Sequence, residues 1–217
     1  MQTKIIKGII VSKTPYAEHD EMLNVLTEEG FLNIYAKGVK KTESKNRINI
    51  FRGSLVSFEI FNSYATEHSV LLKKAVMIQA LPDVTKTNSM KIESLLKAIK
   101  NIREGDIELY KTYIELLNDF DGPNFWKNQS FLISQILNHM GVGLSFSSCV
   151  YCGSNQELLD FDASQGGIIC KNHTKNNVAL KLLKSLFLLG YSREKYVLET
   201  SPETNQEVLK MLGDLLI

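Results

Sequence analysis

The hydrophobic pattern of this chain changes its period at Leu81-Pro82-Asp83, and that change limits the folds available to it. Before this point apolar residues alternate with polar ones, which is typical of β-strands. After it they recur every three or four residues, which is typical of amphipathic helices. Strands followed by helices, rather than alternating with them, indicate the α+β class. We therefore expect a β domain over residues 1–80 and a helical domain over residues 81–217.

The front of the chain contains strand candidates separated by turn signals, and the first of them is interrupted at Gly8. The connections leave no room for crossover helices, so the strands are expected to form a small antiparallel barrel. The candidates are Ile5–Val11, Glu21–Thr27, Phe31–Val39, Ser54–Phe61 and Ser69–Ala80.

The remainder of the chain is predicted to be helical. Apolar stripes cover residues 92–102, 109–120, 125–140 and 178–189, and a last helix runs from Ser201 to the terminus. Gly141 is placed as a C-terminal cap, and the helix before Gly190 is expected to end there. Ser201-Pro202-Glu203 has the residues typical of a helix start, with a capping hydroxyl, a proline and an early acid.

All three cysteines fall within 22 residues, in the pattern Cys-x2-Cys-x17-Cys-x2-His formed by Cys149, Cys152, Cys170 and His173. A two-residue gap lets both thiolates of a pair face one ion, and Gly153 permits the positive-φ turn that such a pair favours. Three thiolates and an imidazole complete a tetrahedron around Zn²⁺ and leave no open position. The sequence therefore predicts a structural zinc knuckle at residues 147–175, embedded in the all-α domain.

Two other interpretations of the cysteines stay open, namely unligated buried thiols and a redox Cys-x-x-Cys pair. The odd number of cysteines argues against a disulfide framework, and the βαβ pattern of thioredoxin-like proteins is missing. His139 extends the apolar stripe of its helix, so we expect a hydrogen-bonded residue at the core boundary. Asp160 and Asp162 are expected to be exposed loop carboxylates. No metalloprotease, deaminase, phosphate-loop or dinucleotide motif occurs, so no catalytic residue and no enzyme activity is predicted.

Positive charge is concentrated in one segment of the β half. The whole chain carries +1, but residues 37–52 hold six cations and one acid. Such side chains on a loop between strands can neutralise phosphates, and Phe31 and Tyr35 on the preceding strand could stack on unpaired bases. A solvated, mobile loop beside ordinary core aromatics is the alternative. The cations are Lys37, Lys40, Lys41, Lys45, Arg47 and Arg52.

Three segments of the front half occur in an order that resembles a known family. They are Lys7-Gly8-Ile9-Ile10-Val11, then Tyr16-Ala17-Glu18-His19-Asp20, and then Ala36-Lys37-Gly38-Val39-Lys40-Lys41. The second is similar to a Tyr-x-Glu-x-Asp signature and the third to an Ala-Lys-Gly-basic segment of the RecO family of DNA-repair proteins. The chain length, the helical second half and the embedded Cys-x-x-Cys pair agree with this resemblance, which covers essentially the whole chain.

The resemblance implies an N-terminal OB-fold that binds single- and double-stranded DNA, followed by a helical domain that carries the zinc element. It implies a recombination mediator that anneals complementary strands coated by single-stranded-DNA-binding protein. With RecR, such a protein assists the loading of RecA. The matching motif implies DNA contacts at Lys37, Lys40 and Lys41, whereas Lys45, Arg47 and Arg52 rest on the charge of the loop.

The family also docks the C-terminal tail of single-stranded-DNA-binding protein on its helical domain. Helix 178–189, with Lys181 and Lys184 beside its leucines, could receive such a tail, and a buried core is the alternative explanation of the leucines. Two departures from the family pattern occur. His173 stands where cysteine is usual, and Ile48-Asn49-Ile50-Phe51-Arg52 replaces a Gln-Pro-Phe element.

Other functions compatible with these residues are an RNA-binding OB-fold protein with a zinc knuckle, a zinc-dependent hydrolase or deaminase, and an interaction scaffold. No stretch approaches the roughly 20 apolar residues that span a membrane, and the N-terminus lacks a signal-peptide pattern. We expect a cytoplasmic protein of bacterial type, associated with the nucleoid when bound to DNA.

Overall fold

A computed structural model of the chain describes residues 2–66, 69–82 and 87–215. Its residues form two compact units, Met1–Leu117 and Asn118–Ile217. The last strand of the first unit ends at Gln79, so this unit contains both the strands and the first two helices. The division into domains at residue 80 stays a prediction.

The first unit is built on a closed barrel with the strand order β1-β2-β3-β5-β4. Among the described strands, β3 and β5 pair in parallel and the other neighbours pair antiparallel. The prediction of a wholly antiparallel barrel is wrong at this pair, because a closed ring with an odd number of strands cannot alternate its direction throughout. The strands are β1 (Thr3–Pro15), β2 (Glu21–Thr27), β3 (Gly30–Ala36), β4 (Leu55–Thr66) and β5 (Ser69–Gln79).

The barrel is filled by apolar side chains that point inward from each strand. β1 continues through Gly8 instead of breaking there, because this glycine lets β2 approach closely. A Cβ at residue 8 would lie 2.3 Å from Val25 Cγ1 and 3.0 Å from the Leu26 carbonyl oxygen. The buried cluster includes Ile10, Leu23, Val25, Ile34, Val56, Phe58 and Ile60.

Two helices complete the first unit, α1 (Thr87–Ile99) and α2 (Ile107–Asn118). The hydroxyl of the fully buried Tyr113 on α2 donates a hydrogen bond of 3.1 Å to the carbonyl of Gly53. This bond satisfies a buried phenol and joins α2 to the segment that precedes β4. Gly53 has a φ of +78°, where a side chain would be strained.

The second unit combines four helices with a two-stranded hairpin among the described residues. Its elements are α3 (Phe125–His139), β6 (Leu158–Asp162), β7 (Gly167–Cys170), α4 (Leu180–Tyr191), α5 (Arg193–Glu199) and α6 (Pro202–Gly213). The hairpin corrects the prediction of an all-α domain. None of the described helices is both long and apolar enough to cross a bilayer.

The helix ends test the cap predictions. Gly141 follows α3 with a φ of +83°, and Ser201 caps α6 by accepting a 3.2 Å hydrogen bond from the Thr204 amide, so both caps are confirmed. The expected end at Gly190 is wrong, because α4 continues to Tyr191. A Cβ at residue 190 would lie 3.0 Å from Phe146 Cδ2, so this glycine serves close packing inside the helix.

Replacement of Gly8 by alanine should lower the free energy of unfolding of the first unit by about 1–3 kcal/mol, the usual cost of overpacking a filled site. Urea unfolding followed by circular dichroism measures this loss. Gly213→Ala is the matched control, since nothing lies within 4 Å of a Cβ placed there. A Gly8→Ala protein as stable as the control would contradict the close approach of β1 and β2.

Candidate nucleic-acid interface and metal centre

The basic loop, residues 37–52, leaves the end of β3 and is packed into the barrel at both ends. Val39 and Ile50 are each 2% exposed and belong to the barrel core. Between and beside them the side chains of Lys37, Lys41, Lys45 and Arg47 are exposed, whereas Lys40 is half-buried. The loop is thus a folded part of the barrel that presents cations on its surface.

The first end of the loop is held by the carboxylate of Asp20. Its Oδ1 accepts a 2.7 Å hydrogen bond from the Gly38 amide, and its Oδ2 accepts one from the Tyr35 hydroxyl. The Lys40 amide donates to the carbonyl of His19 over 2.9 Å. These bonds join the β1–β2 turn to the basic loop, and therefore bring together two of the segments that carry the family resemblance.

The environment of Asp20 favours its charged form. The hydrogen bond from the Tyr35 hydroxyl lowers the pKa of this carboxyl most, and the Gly38 amide and the charge of Lys37 act in the same direction against desolvation. The same bond raises the pKa of Tyr35. Because the acceptor is ionised, both hydrogen bonds at the loop entrance are charge-assisted and therefore stronger than bonds between neutral groups.

The far part of the loop is held by two asparagines that bond to the backbone of β5. Asn46 Oδ1 accepts from the Ala75 amide over 2.9 Å, and its Nδ2 donates to the Lys73 carbonyl over 3.3 Å. Three residues later, Asn49 Oδ1 accepts from the Met77 amide over 3.1 Å. The loop therefore runs along β5 with its path fixed by side-chain amides.

Arg52 differs from the other cations of the loop because its charge is already paired. Its Nη1 lies 2.9 Å from Oε2 of Glu93 on α1, and its Nε donates to the Val11 carbonyl over 3.0 Å. The side chain is 30% exposed. These contacts give Arg52 a structural position between β1 and α1.

The two aromatic side chains singled out in the sequence are engaged within the first unit. Phe31 packs beside Gly105, where a Cβ would lie 3.1 Å from its Cε2, and Tyr35 bonds to Asp20. Two exposed rings were not predicted from the sequence, Tyr16 with 57% and Phe51 with 52% of the residue surface exposed. Tyr16 lies in a turn and Phe51 in a loop, so neither belongs to a periodic pattern. The signature segment that begins at Tyr16 marks this residue but does not indicate that its ring is exposed.

The four predicted metal ligands converge in the second unit, with all ligand atoms within 4.8 Å of one another. Cys152 Sγ lies 3.7 Å from Cys170 Sγ, and His173 Nδ1 lies 3.6 Å from Cys149 Sγ and 3.5 Å from Cys170 Sγ. A tetrahedral zinc ion with bonds of about 2.3 Å to sulfur and about 2.0 Å to nitrogen requires separations of about 3.8 and about 3.6 Å. The donor set fits such an ion in both chemistry and spacing.

Local backbone bonds build this cluster. Gly153 has a φ of +71°, as predicted, and its amide donates to the Cys149 carbonyl over 2.8 Å. The Cys149 amide in turn donates to the Ser154 carbonyl over 2.7 Å. On the other side, β7 supplies Cys170, whose carbonyl accepts a 3.0 Å hydrogen bond from the His173 amide.

Cys149 is poised as a thiolate, the form in which cysteine binds metals. Burial opposes its ionisation, but the backbone amides of Cys170, Tyr151 and Cys152 outweigh burial and bring the pKa of Cys149 down to about 6. Amide dipoles directed at the Cys149 sulfur act in the same sense as a bound cation would. At Cys152 the amide of Ser154 acts in the same way, but burial and the bonds to Cys170 and Cys149 outweigh it and raise the pKa of this thiol.

Asp160 and Asp162 are not free loop carboxylates, and that prediction is wrong because both lie on β6. Asp162 accepts a 2.6 Å hydrogen bond from the hydroxyl of Tyr151, whose ring stacks on His173 with centroids 5.3 Å apart. Asp160 accepts a 3.1 Å bond from Thr174. They support the residues around the cluster. His139 is half-buried at the end of α3 and is not part of the cluster.

Family models match nearly the whole chain. The model for the N-terminal part of recombination protein O covers residues 1–80, and the model for its C-terminal part covers residues 92–216. The chain therefore belongs to the recombination protein O (RecO) family, and the resemblance stated from the sequence is confirmed.

Named relatives agree with this assignment. The chain is 25% identical to the DNA repair protein RecO of Ligilactobacillus salivarius, over 85% of this chain and 75% of that protein. It is 26% identical to the DNA repair protein RecO of Listeria monocytogenes serotype 4b, over 95% and 85% respectively. Among solved structures, an asparaginyl-tRNA synthetase of Entamoeba histolytica aligns with 66% of this chain and 34% of its own, at 10% identity and a TM-score of 0.32. That likeness is too low to support an argument.

The amide resonance of Gly38 should titrate with Asp20 at a pH below the ordinary aspartate pKa of about 3.9, because the carboxylate is stabilised in the folded state. Since the folded-state pKa is lowered, the stabilisation is present above the ordinary pKa and is lost as pH falls through the lowered one. NMR spectra recorded from about pH 7 down to about pH 2 measure this titration. In Asp20→Asn the low-pH transition should vanish. A Gly38 amide that responds at or above the ordinary value would contradict the bond.

Proposed function

We propose that this chain is a recombination mediator that binds single- and double-stranded DNA through an OB-fold barrel and its basic loop. It would anneal complementary strands coated by single-stranded-DNA-binding protein and, with RecR, assist the loading of RecA. Family membership and the DNA-repair names of the relatives support this proposal. The observation that carries it is the row of exposed cations on an anchored loop of a barrel whose strand order suits an OB-fold.

The contact set we propose is Lys37, Lys40, Lys41, Lys45 and Arg47. Each phosphate that these cations neutralise would release counterions, which gives binding that depends on salt and not on base sequence. Because hydrogen bonds to Asp20 and β5 fix the backbone of the loop, less conformational entropy is lost when DNA orders the side chains. Arg52 would contribute indirectly, by holding the loop near α1 through its pair with Glu93.

We further propose that Cys149, Cys152, Cys170 and His173 hold a structural Zn²⁺ ion. When bound, the metal would tie the Cys149–Gly153 turn to the end of β7 and so stabilise the second unit. Four protein donors fill a tetrahedral shell, and this argues against the alternative of a zinc-dependent hydrolase or deaminase, which needs an open position.

An RNA-binding OB-fold protein is the second candidate, since the basic loop would suit the backbone of either nucleic acid. The RecO family membership favours DNA. Binding of matched DNA and RNA oligonucleotides at the same salt concentration separates the two, and a clear preference for RNA would replace our first proposal. We propose action at the bacterial nucleoid, in the cytoplasm.

The partner proposed for the second unit is the C-terminal tail of single-stranded-DNA-binding protein. On α4 the leucines from Leu182 onward are buried, so the core accounts for them, whereas Leu180 at the start of the helix is exposed. The exposed part of this helix instead carries Phe187 stacked on Tyr191, with centroids 5.9 Å apart, and Lys195 Nζ lies 5.0 Å from the Tyr191 ring centre. Aromatic faces beside a cation would suit an acidic tail that ends in apolar residues.

The triple variant Lys41→Ala, Lys45→Ala, Arg47→Ala should bind single strands more weakly and anneal coated complementary strands more slowly. The slope of log K against log salt should become shallower by about 2, at about 0.7 for each phosphate that is no longer neutralised. Fluorescence anisotropy over a salt series measures the slope, and a strand-annealing assay measures the rate.

A variant with the same change of net charge, Lys100→Ala, Lys111→Ala, Lys210→Ala, is the control, because all three lysines are exposed outside the basic loop. If both variants lost affinity equally, general charge rather than the loop would explain binding. A wild-type protein that neither binds nor anneals at low salt would contradict the mediator function itself.

Removal of zinc by a chelator should loosen the second unit and leave DNA binding through the loop largely intact. We expect the melting temperature reported by Trp126, the single tryptophan, to fall by about 10 °C, which corresponds to about 2–3 kcal/mol of lost ligand stabilisation in a unit of this size. Cys152→Ser should melt at the lower temperature with or without chelator. Equal loss of thermal stability and DNA affinity in one chelated sample would mean that the metal also supports the DNA interface.

A further inference from the structure

The β1–β2 turn places an exposed tyrosine beside the basic loop. Tyr16 is 57% exposed, and its ring meets the ring of Tyr35 edge to face with centroids 5.2 Å apart. Its amide donates to the Asp20 carbonyl over 3.2 Å, and the Asp20 amide donates to the Ala17 carbonyl over 3.4 Å. The ring therefore projects from a turn whose backbone is closed by hydrogen bonds.

Tyr16 and the basic loop share one anchor. Asp20 closes the turn that carries Tyr16, accepts the Tyr35 hydroxyl that fixes the supporting ring, and accepts the Gly38 amide at the loop entrance. The Lys40 amide reaches the same turn through the His19 carbonyl. The aromatic ring and the backbone at the entrance of the basic loop are thus held in fixed relation by hydrogen bonds to one short segment.

The chemistry of Tyr16 together with the basic loop differs from that of the lysines alone. Cations attract the phosphates of single strands and duplexes alike. An exposed aromatic ring adds affinity only for bases whose faces are free, because bases in a duplex already stack on one another. In barrels of this topology, the face of strands 2 and 3 and the loop between strands 1 and 2 are the usual ligand surface, and Tyr35 and Tyr16 lie there.

We propose that Tyr16, supported edge to face by Tyr35, is a stacking platform for an unpaired DNA base, and that it makes this chain bind single strands in preference to duplex. The inference rests on the proposed function and deepens it, since the basic loop supplies affinity for the backbone and Tyr16 supplies the distinction between paired and unpaired bases. Tyr16 is a specificity-determining residue in this scheme, and Asp20 is a positioning residue that acts through Tyr35 and Gly38.

The test compares wild type with Tyr16→Ala and Tyr16→Phe, using a thymidine oligonucleotide and a blunt duplex of the same length over a salt series. Tyr16→Ala should bind the single strand about 5-fold to 100-fold more weakly, the usual effect of losing one stacked base. Its affinity for the duplex and both salt slopes should stay at wild-type values. Tyr16→Phe, which keeps the aromatic face, should restore single-strand affinity.

Two controls separate a platform from a structural role. Trp126→Ala removes another exposed aromatic ring that meets a neighbouring ring edge to face, and it should leave binding to both DNAs unchanged. The Gly38 amide resonance should keep its wild-type position in Tyr16→Ala, because Asp20 and Tyr35 are intact. A fluorescent base analogue in the oligonucleotide should be quenched by the wild type and by Tyr16→Phe, and not by Tyr16→Ala.

The outcomes distinguish this inference from the function on which it rests. Normal single-strand binding by Tyr16→Ala, or equal loss of single-strand and duplex binding, overturns the platform and leaves the mediator proposal standing. A displaced Gly38 resonance in Tyr16→Ala also overturns it, since the tyrosine would then act by shaping the loop. Absence of salt-sensitive binding by the wild type to either DNA overturns both.

Discussion

The carboxylate of Asp20 accepts hydrogen bonds from a side chain on β3 and from the backbone at the start of the basic loop. Because residues 20 and 38 are far apart in the sequence, this contact joins two segments that no local turn would bring together. It also fixes the positive-φ backbone at Gly38, near the start of the loop that carries the cationic side chains. A negative charge beside the surface that we propose for DNA contact would ordinarily weaken such contact. Here its lone pairs are taken up by the Tyr35 hydroxyl and the Gly38 amide, and the carboxylate organises the surface.

The two units use different means to order segments that lack regular structure. In the first, side chains of Asp20, Asn46 and Asn49 bond to backbone groups and hold a long connection against the barrel. In the second, three thiols and an imidazole lie together where a turn meets a short hairpin, beside a small buried cluster that includes Ile169. A metal at this position would add to the apolar packing of the segment between α3 and α4.

Much of this architecture follows from local patterns. Alternation and helical spacing predicted the five barrel strands and most helices, because each element has one buried face. The Cys-x2-Cys and Cys-x2-His pairs predicted the ligand cluster, since chelation requires those gaps. The rest depends on contacts distant in sequence. β6 and β7 are too short for a periodic signal. The sequence does not distinguish the cation Arg52 from the cation Lys41, and only the structure shows that Arg52 is paired with Glu93. Tyr16 belongs to the Tyr-x-Glu-x-Asp segment of the family resemblance, but the sequence does not show that its ring is exposed and packs against Tyr35.

The bonds from Asn46 and Asn49 to β5 have a consequence for self-association. β5 pairs with β3 over only a short stretch. Without the basic loop, the amides of Ala75 and Met77 beyond this stretch would be free donors on a strand edge, and such an edge can recruit a strand from another molecule. The two asparagine side chains occupy these donors and cover the edge with a polar, cationic segment. The loop that we propose for DNA contact thereby also caps an exposed β edge. A change that frees it from β5 would uncover a surface prone to aggregation as well as alter nucleic-acid binding.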